Sequence, residues 1–250
     1  MTFAPCFIVP VYNHGATVGN TLAVLARHAL PIYLVDDGSD TATANVLDQL
    51  ATSVGDVRLV RRPANGGKGA AVMSGMRAAY VDGRSHALQV DADGQHALDD
   101  IPGFLAAAQE HPEALICGVP EYDASVPKGR LYGRYATHVW VWIETLSFAI
   151  QDSMCGFRVY PLAVTHRLID EVRLGTRMDF DIEILVRLFW RGVSIINRPT
   201  RVIYPEGGLS HFQPLGDNLR ISWLHTRLFF GMLPRLPWLL ARRLGTGQAE

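Results

Sequence analysis

The sequence predicts an α/β fold with a Rossmann-like, mostly parallel central sheet flanked by helices. Three observations carry that expectation. Short apolar runs rich in β-branched residues alternate with helix-length segments from Cys6 to Gly118, as in parallel strands joined by crossover helices. Polar clusters at Asn13, Asp36-Asp37, Asn65 to Lys68 and Asp91 to Asp93 follow the first four runs, which sets them on the carboxyl edge of such a sheet, where ligands gather. The chain has 250 residues and is 48% hydrophobic, enough to fill the core of one large domain.

Cys6 to Val11 is the first strand, closed by the turn Tyr12-Asn13-His14-Gly15. A helix follows over about Thr17 to His28, with Val18, Leu22, Leu25 and Ala26 on one face and Pro31 beyond its end. Ile32 to Val35 is the second strand, stopped at Asp36-Asp37-Gly38-Ser39-Asp40; a helix spans Ala44 to Ala51, and either Ser39 or Asp40 suits its N-cap. Val57 to Val60 is the third strand, after which Asn65-Gly66-Gly67-Lys68-Gly69 opens a small-residue helix from Ala70 to Val81. Ala87 to Val90 is the fourth strand, Ile101 to Gln109 a helix and Ala114 to Gly118 the fifth strand.

Beyond Pro120 the alternation stops. A polar loop from Glu121 to Gly129 leads into a long apolar helix over Leu131 to Ile150, whose stripe of Tyr132, Tyr135, Val139, Trp142, Leu146 and Ile150 reads as a buried face. Gly156 to Tyr160 is a short strand, Phe180 to Arg191 an amphipathic helix, and Val193 to Ile203 one or two further strands. Residues 1–216 read as one domain and residues 217–250 as a basic amphipathic segment. From Asn218 to Ala249 five arginines (Arg220, Arg227, Arg235, Arg242, Arg243) mingle with Trp223, Leu224, Phe230 and Trp238 and no acid, and Pro234 and Pro237 divide the segment into two helical pieces. That composition suits an anionic membrane surface; the alternative is a helix folded back on the domain.

The 23 basic and 24 acidic residues nearly cancel, so charge predicts no nucleic-acid partner. Cys6, Cys117 and Cys155 form no CxxC pair and the nine histidines no HExxH, which argues against a zinc site and fits a reducing cytoplasm. Met1 to Pro10 lacks a basic leader region, and no apolar run approaches the roughly 18 residues of a membrane span. The expected location is cytoplasmic, peripheral on the inner face of the membrane.

The chemistry centres on Leu88-Gln89-Val90-Asp91-Ala92-Asp93-Gly94, an apolar run that stops at two carboxylates one residue apart. Such a pair at a glycine turn can converge on one hard cation, and through it on a diphosphate; a solvated Asx turn is the alternative. Asp36 and Asp37 suit hydrogen bonds to a ribose hydroxyl or a pyrimidine edge. Residues 65–69 let backbone approach a phosphate while Lys68 adds a cation, although the spacing is not that of the GxxxxGK[ST] loop.

In order and content IVPVYN (Ile8 to Asn13), VDDGSDT (Val35 to Thr41), NGGKGAA (Asn65 to Ala71) and VDADGQH (Val90 to His96) resemble the inverting glycosyltransferases of family 2 with the GT-A fold. The polyprenyl-phosphate sugar synthases are more similar still, through VDADGQH, the D-x-x-x-GFR segment at Asp152 to Arg158 and an FDxEL-like segment at Phe180. The resemblance implies a nucleotide sugar, with UDP favoured, held by Pro10, Tyr12, Asn13, Asp36, Asp37, Lys68, Asp91 and Ala92. It also implies Mg²⁺ or Mn²⁺ on Asp91, Asp93 and Gln95, with His96 lining the site. A polyprenyl phosphate or other lipid-linked acceptor would lie against Arg130 and Arg134, near Lys128.

The acceptor decides the catalytic residues. A hydroxyl must lose a proton as it attacks, for which Asp152, Asp179 or Asp181 offers a base, whereas a phosphate monoester is already an anion near neutrality and needs only cations. The phosphate is favoured. The alternatives are transfer to a hydroxyl of another membrane-proximal lipid or glycan, or a protein that binds a nucleotide sugar without turnover.

Overall fold

The computed structural model describes residues 2–121, 128–202 and 214–246. Its centre is one seven-stranded sheet: β1 (Pro5–Val11), β2 (Ile32–Asp36), β3 (Val57–Arg61), β4 (His86–Gln89), β5 (Leu115–Glu121), β6 (Arg158–Pro161) and β7 (Ile195–Arg201), in the order β3-β2-β1-β4-β6-β5-β7. The first four strands are mutually parallel, β5 is parallel to β7, and β6 alone runs against its neighbours β4 and β5. This reversal matters for the site. Because Gln89 at the end of β4 pairs with Arg158 at the start of β6, the chain entering β6 through residues 152–157 arrives at the same edge where β1, β2 and β4 end.

The residues of β1 are buried on both faces, as in a sheet covered on both sides: Cys6 and Ile8 enter one core cluster, Phe7, Val9 and Val11 the other. The second cluster lies under α1 (Gly15–Leu25), α2 (Thr41–Ser53) and α4 (Ile101–Glu110). The first lies under α3 (Lys68–Val81), α6 (Leu162–Glu171), α7 (Phe180–Trp190) and part of α5 (Lys128–Thr145). Asp40, of the two candidates, caps α2 by accepting the Thr43 N–H at 2.7 Å, while the Ser39 N–H turns back to Asp36 Oδ1 at 2.9 Å. Helix α3 starts at Gly67, whose φ of +95° is costly for any other residue.

Two helices differ from the sequence expectation. In α5, which ends at Thr145 rather than Ile150, Tyr135 and Val139 of the stripe read as buried face outward, 61% and 37% exposed, and Trp142 is half-buried, whereas Leu146 and Ile150 beyond the helix do pack into the core. The inner face carries His138, Val141, Glu144 and Thr145 instead. The polar members are accommodated because each has a partner inside: His138 pairs with Asp152 and Ser153, and Glu144 accepts from His225 at 2.8 Å. Helix α7 is covered on all sides rather than amphipathic, with Asp181 4% and Glu183 0% exposed. Both acids have cationic partners, which is what makes burial affordable.

The boundary at residue 217 falls inside α8 (Pro214–Met232), which a 3-10 turn at Leu233–Arg235 joins to α9 (Leu236–Thr246). Leu224, Leu228, Met232 and Leu239 enter the first core cluster, so this segment folds back on the domain with one face while Leu219, Trp223, Phe230 and Leu244 remain exposed. No helix among the described residues is long and apolar enough to cross a membrane.

Candidate active site

The polar clusters do converge on the carboxyl edge, in three groups. In the first, β1 and β2 end side by side, with Pro10 opposite Val35 and Val11 opposite Asp36. Tyr12 and Asn13 continue from β1. Asn13 adopts a left-handed φ of +55°, donates its N–H to Ser39 Oγ at 3.2 Å and accepts the Asp40 N–H at 2.9 Å, which locks the two strand ends together. Asp36 is buried there, its second oxygen 3.9 Å from Arg61 Nε. Asp37 has its carboxylate filled by Arg62 Nε at 2.7 Å and by the N–H groups of Gly66 and Gly67 at 3.0 and 2.8 Å. The setting makes Asp37 the brace of the glycine loop that delivers Lys68.

The second group is the core of the site. Lys68 Nζ lies 2.8 Å from Asp91 Oδ2 and 3.0 Å from Asp181 Oδ2, so one ammonium joins the β4 loop to α7. His96 Nε2 is 3.3 Å from the same Asp91 oxygen, and the ring stacks on Phe157. Burial alone would raise the Asp91 pKa, but the Lys68 charge and His96 outweigh it and hold the carboxyl well below its ordinary range. The same two carboxylates raise the Lys68 pKa against the effect of burial. Gln89, fully buried on β4, points its Nε2 toward Asp91 and Asp181 at 3.4 and 3.5 Å. Opposite stands Gly156: a Cβ there would lie 2.6 Å from Gln89 Nε2, 2.7 Å from Lys68 Nζ and 3.2 Å from Asp91 Oδ2. The bare backbone at Gly156 is what gives these side chains room. Sequence reasoning passed over Gln89 and Gly156, although an amide between Leu88 and Val90 in an apolar strand was a usable signal.

Asp93 sits in the turn after Asp91, with Gly94 at φ +73° and the Gln95 N–H donating to Asp93 Oδ1 at 3.0 Å. Ala92 is fixed through its carbonyl, which accepts from Thr17 Oγ1 at 2.9 Å. Among the described residues no three His, Cys, Asp or Glu side chains form a metal cage. Two carboxylates in one turn nevertheless fit a hard cation that takes its remaining ligands from a diphosphate and water, the usual manner of Mg²⁺. Two buried atoms beside the cluster, Gln89 Oε1 and His96 Nδ1, lack a hydrogen-bond partner, which fits a site that a ligand completes.

The third group contains Asp152, and here the expectation of a base meets a carboxylate already filled. Arg134 grips it with both arms at 2.6 Å, His138 Nε2 is 3.3 Å away, and the Met154 and Cys155 N–H groups donate at 2.9 and 2.7 Å. Burial raises its pKa, but His138 and Arg134 prevail and hold it far below the carboxylate range. That is the setting of an anchor for the turn that presents Gly156. Arg134, expected at the acceptor phosphate, is thereby committed to Asp152. The side chains of Lys128 and Arg130 lie outside the described residues. Asp179, at the start of α7, accepts the Arg177 N–H at 3.1 Å and lines a cleft that Lys68 does not line. Of the three candidate bases only Asp181 joins the Lys68 cluster.

Asp152→Asn is expected to lower stability at pH 7 by about 3 kcal/mol, since it leaves buried cations without their counter-charge. A carboxyl with a depressed folded pKa contributes stability above its unfolded value near 4 and loses it as pH falls. The gap between variant and wild type in urea unfolding is therefore full near neutrality and narrows progressively as pH falls below about 4; a gap independent of pH would refute the anchoring role.

Comparison with known proteins bears on the family and the fold. The chain is 24% identical over 243 residues to a UDP-N-acetylglucosamine–dolichyl-phosphate N-acetylglucosaminyltransferase of Methanococcus voltae, covering 90% of this chain and 93% of that one. It is 27% identical over 232 residues to the polyprenol monophosphomannose synthase of Mycolicibacterium smegmatis, covering 85% and 82%. Among solved structures, S. aureus TarS 1-349 in complex with UDP-GlcNAc superposes with a TM-score of 0.60 at 15% identity over 90% of this chain and 66% of that one, a likeness of fold. The model of glycosyl transferase family 2 matches residues 6–171. That match takes in β1 through α6 and every strand end that meets at Lys68, and by it the chain belongs to glycosyl transferase family 2 and is a glycosyltransferase.

Proposed function

We propose that the protein transfers a sugar, with inversion, from a nucleotide diphosphate sugar to a polyprenyl phosphate. UDP is the favoured nucleotide. The donor reading rests on the convergence of the β1, β2 and β4 ends with the glycine loop, and on the nucleotide sugars and polyprenyl phosphates in the names of the relatives. Asp36 and Asn13 line the nucleoside end, and Lys68 with the Asp91–Asp93 turn lines the diphosphate end. Asp91, Asp93 and Gln95 would hold Mg²⁺ or Mn²⁺, which when bound offsets charge on the departing diphosphate as a Lewis acid.

The observation that carries the acceptor reading is the ion pairing of the acids: Asp152 is saturated by Arg134 and Asp181 is bridged by Lys68. A phosphate monoester suits such a site, because its oxygen attacks the anomeric carbon already deprotonated while the bond from that carbon to the diphosphate oxygen breaks. No proton changes hands. The exposed apolar residues of α8 and the arginines of the C-terminal segment support a peripheral position on the inner face of the membrane.

Calorimetry of UDP and GDP with and without Mn²⁺ tests the donor site; UDP binds more tightly, and Mn²⁺ strengthens it. In Asp93→Ala the Mn²⁺ enhancement disappears and turnover falls at least about a hundredfold. Stability stays within about 0.5 kcal/mol of wild type, as befits a loop side chain outside the core. Undiminished Mn²⁺ enhancement in that variant would overturn the metal assignment.

A further inference from the structure

The chain between α6 and α7 walls an open cleft of about 420 Å³ with α8 on its other side, lined by Arg173, Thr176, Arg177, Asp179, Arg220 and Arg227 among others. No residue of the Lys68 cluster lines it, so a ligand seated there takes no part in sugar transfer. Two of its arginines have acids. Arg220 reaches Asp217 at 3.0 Å, and Arg227 reaches Glu183 at 3.3 Å, an acid also held by Arg187 and the Gly175 N–H. Arg227 Nε is nevertheless buried without a partner among the described residues. Arg173 and Arg177 are exposed and have no side-chain hydrogen bond or ion pair among the described residues. Asp179 is the carboxylate of the described lining, and it leaves the cleft with cation in excess. Guanidinium forks in such an array match the oxygens of a phosphate.

Beside the cleft α8 carries Leu219, Trp223 and Phe230 along one side, exposed by 72%, 63% and 64%. Arg220 and Arg227 come next round the helix, between that stripe and the buried Leu224 and Leu228. No acid occurs from Asn218 to Ala249. A free phosphate would use the arginines alone, and a nucleotide would leave the stripe bare. The surface of an anionic leaflet uses both, with phosphates at the level of the arginines and the acyl boundary at the level of Trp and Leu.

We propose that this cleft seats the phosphodiester of an anionic membrane phospholipid, which is no substrate but fixes how the protein lies on the bilayer. The proposal rests on the reading of the protein as peripheral to a membrane, and it adds Arg173 and Arg177, which lie outside the C-terminal segment. The test floats the full chain with vesicles of phosphatidylcholine alone or of phosphatidylcholine with phosphatidylglycerol. Wild type prefers the phosphatidylglycerol vesicles. Arg173→Gln with Arg177→Gln lowers affinity for them by about fivefold per arginine and leaves binding to neutral vesicles and to UDP unchanged. Because Arg177 packs against Gly67, Arg173→Gln is also measured alone and shows its own fivefold loss. Arg27→Gln makes the same charge change at an exposed position outside the cleft and costs less than about twofold, since screening weakens a distant charge. Undiminished preference in the cleft variants overturns the proposal, as does an equal loss in Arg27→Gln. Inorganic phosphate that displaces the protein from the vesicles at matched phosphate concentration would make this a free-anion site and overturn the lipid assignment. Wild type that binds neither kind of vesicle overturns the peripheral reading and the cleft with it, whereas wild-type preference that the cleft variants keep overturns the cleft alone.

Discussion

Lys68→Met is expected to destabilise the protein by about 2 to 3 kcal/mol at pH 7, toward the low end of the range for breaking a buried ion pair because the Lys68 side chain is 20% exposed. The reason is the pair it leaves behind. Asp91 Oδ2 and Asp181 Oδ2 both lie within 3.0 Å of one Nζ, so without the ammonium two partly buried carboxylates face each other, and one gains by taking up a proton. The pH dependence then changes character. In wild type the depressed Asp91 pKa contributes stability above about pH 4 that is lost below it. In the variant a raised carboxyl pKa makes the folded state recover as pH falls from 7 toward 5, so the gap between the proteins narrows over that interval. Mn²⁺ narrows the gap at pH 7 too, since a cation on Asp91 supplies the missing charge. Thermal unfolding at pH 7 and pH 5, with and without Mn²⁺, measures all of this. Equal stability at pH 7 would mean that the bridge contributes nothing.

The contrast between Asp91 and Asp152 shows how far residue type alone reaches. Strand ends in a parallel sheet must share an edge, so Asn13, Asp36, Lys68 and Asp91 were legible as one site from alternation and punctuation. What alternation cannot supply is direction after it stops. Strand β6 runs antiparallel between β4 and β5, and only that reversal carries residues 152–156 back to the edge beneath Lys68. Side-chain partners chosen by tertiary packing were equally hidden. Arg134 and Asp152 lie 18 residues apart, each reading as an independent functional group, and they meet only because α5 turns His138 and Arg134 inward. The same turn puts Tyr135 and Val139 of the apolar stripe outside, while Leu146 and Ile150 beyond the helix still pack into the core. The stripe's periodicity was read correctly as helix, but Glu144 and His138 found partners inside and Tyr135 faces solvent.

Gly156 is the residue whose importance is least visible in sequence, and Gly156→Ala is expected to lower turnover about a hundredfold with little loss of stability. The added methyl would meet Gln89 Nε2 at 2.6 Å and Lys68 Nζ at 2.7 Å, closer than atoms can stand. Both are the far ends of flexible side chains, so they swing aside at small energetic expense while the backbone stays put, and the fold loses less than about 1 kcal/mol. The site does not escape so easily. Displacing Lys68 Nζ by about 1 Å lengthens its contacts with Asp91 and Asp181 while leaving the charge beside them, and a misplacement of that size in a positioning group is worth roughly a hundredfold in rate. Gly69→Ala is the matching control, since a methyl there would strike the Cβ and ring of Phe180 at the buried face between α3 and α7. Those atoms cannot swing away, and overpacking at that contact is expected to destabilise by about 1 to 3 kcal/mol. Urea unfolding and turnover on both variants separate the two outcomes. If Gly156→Ala kept wild-type turnover, the packing of Lys68 and Gln89 against that backbone would have no bearing on catalysis.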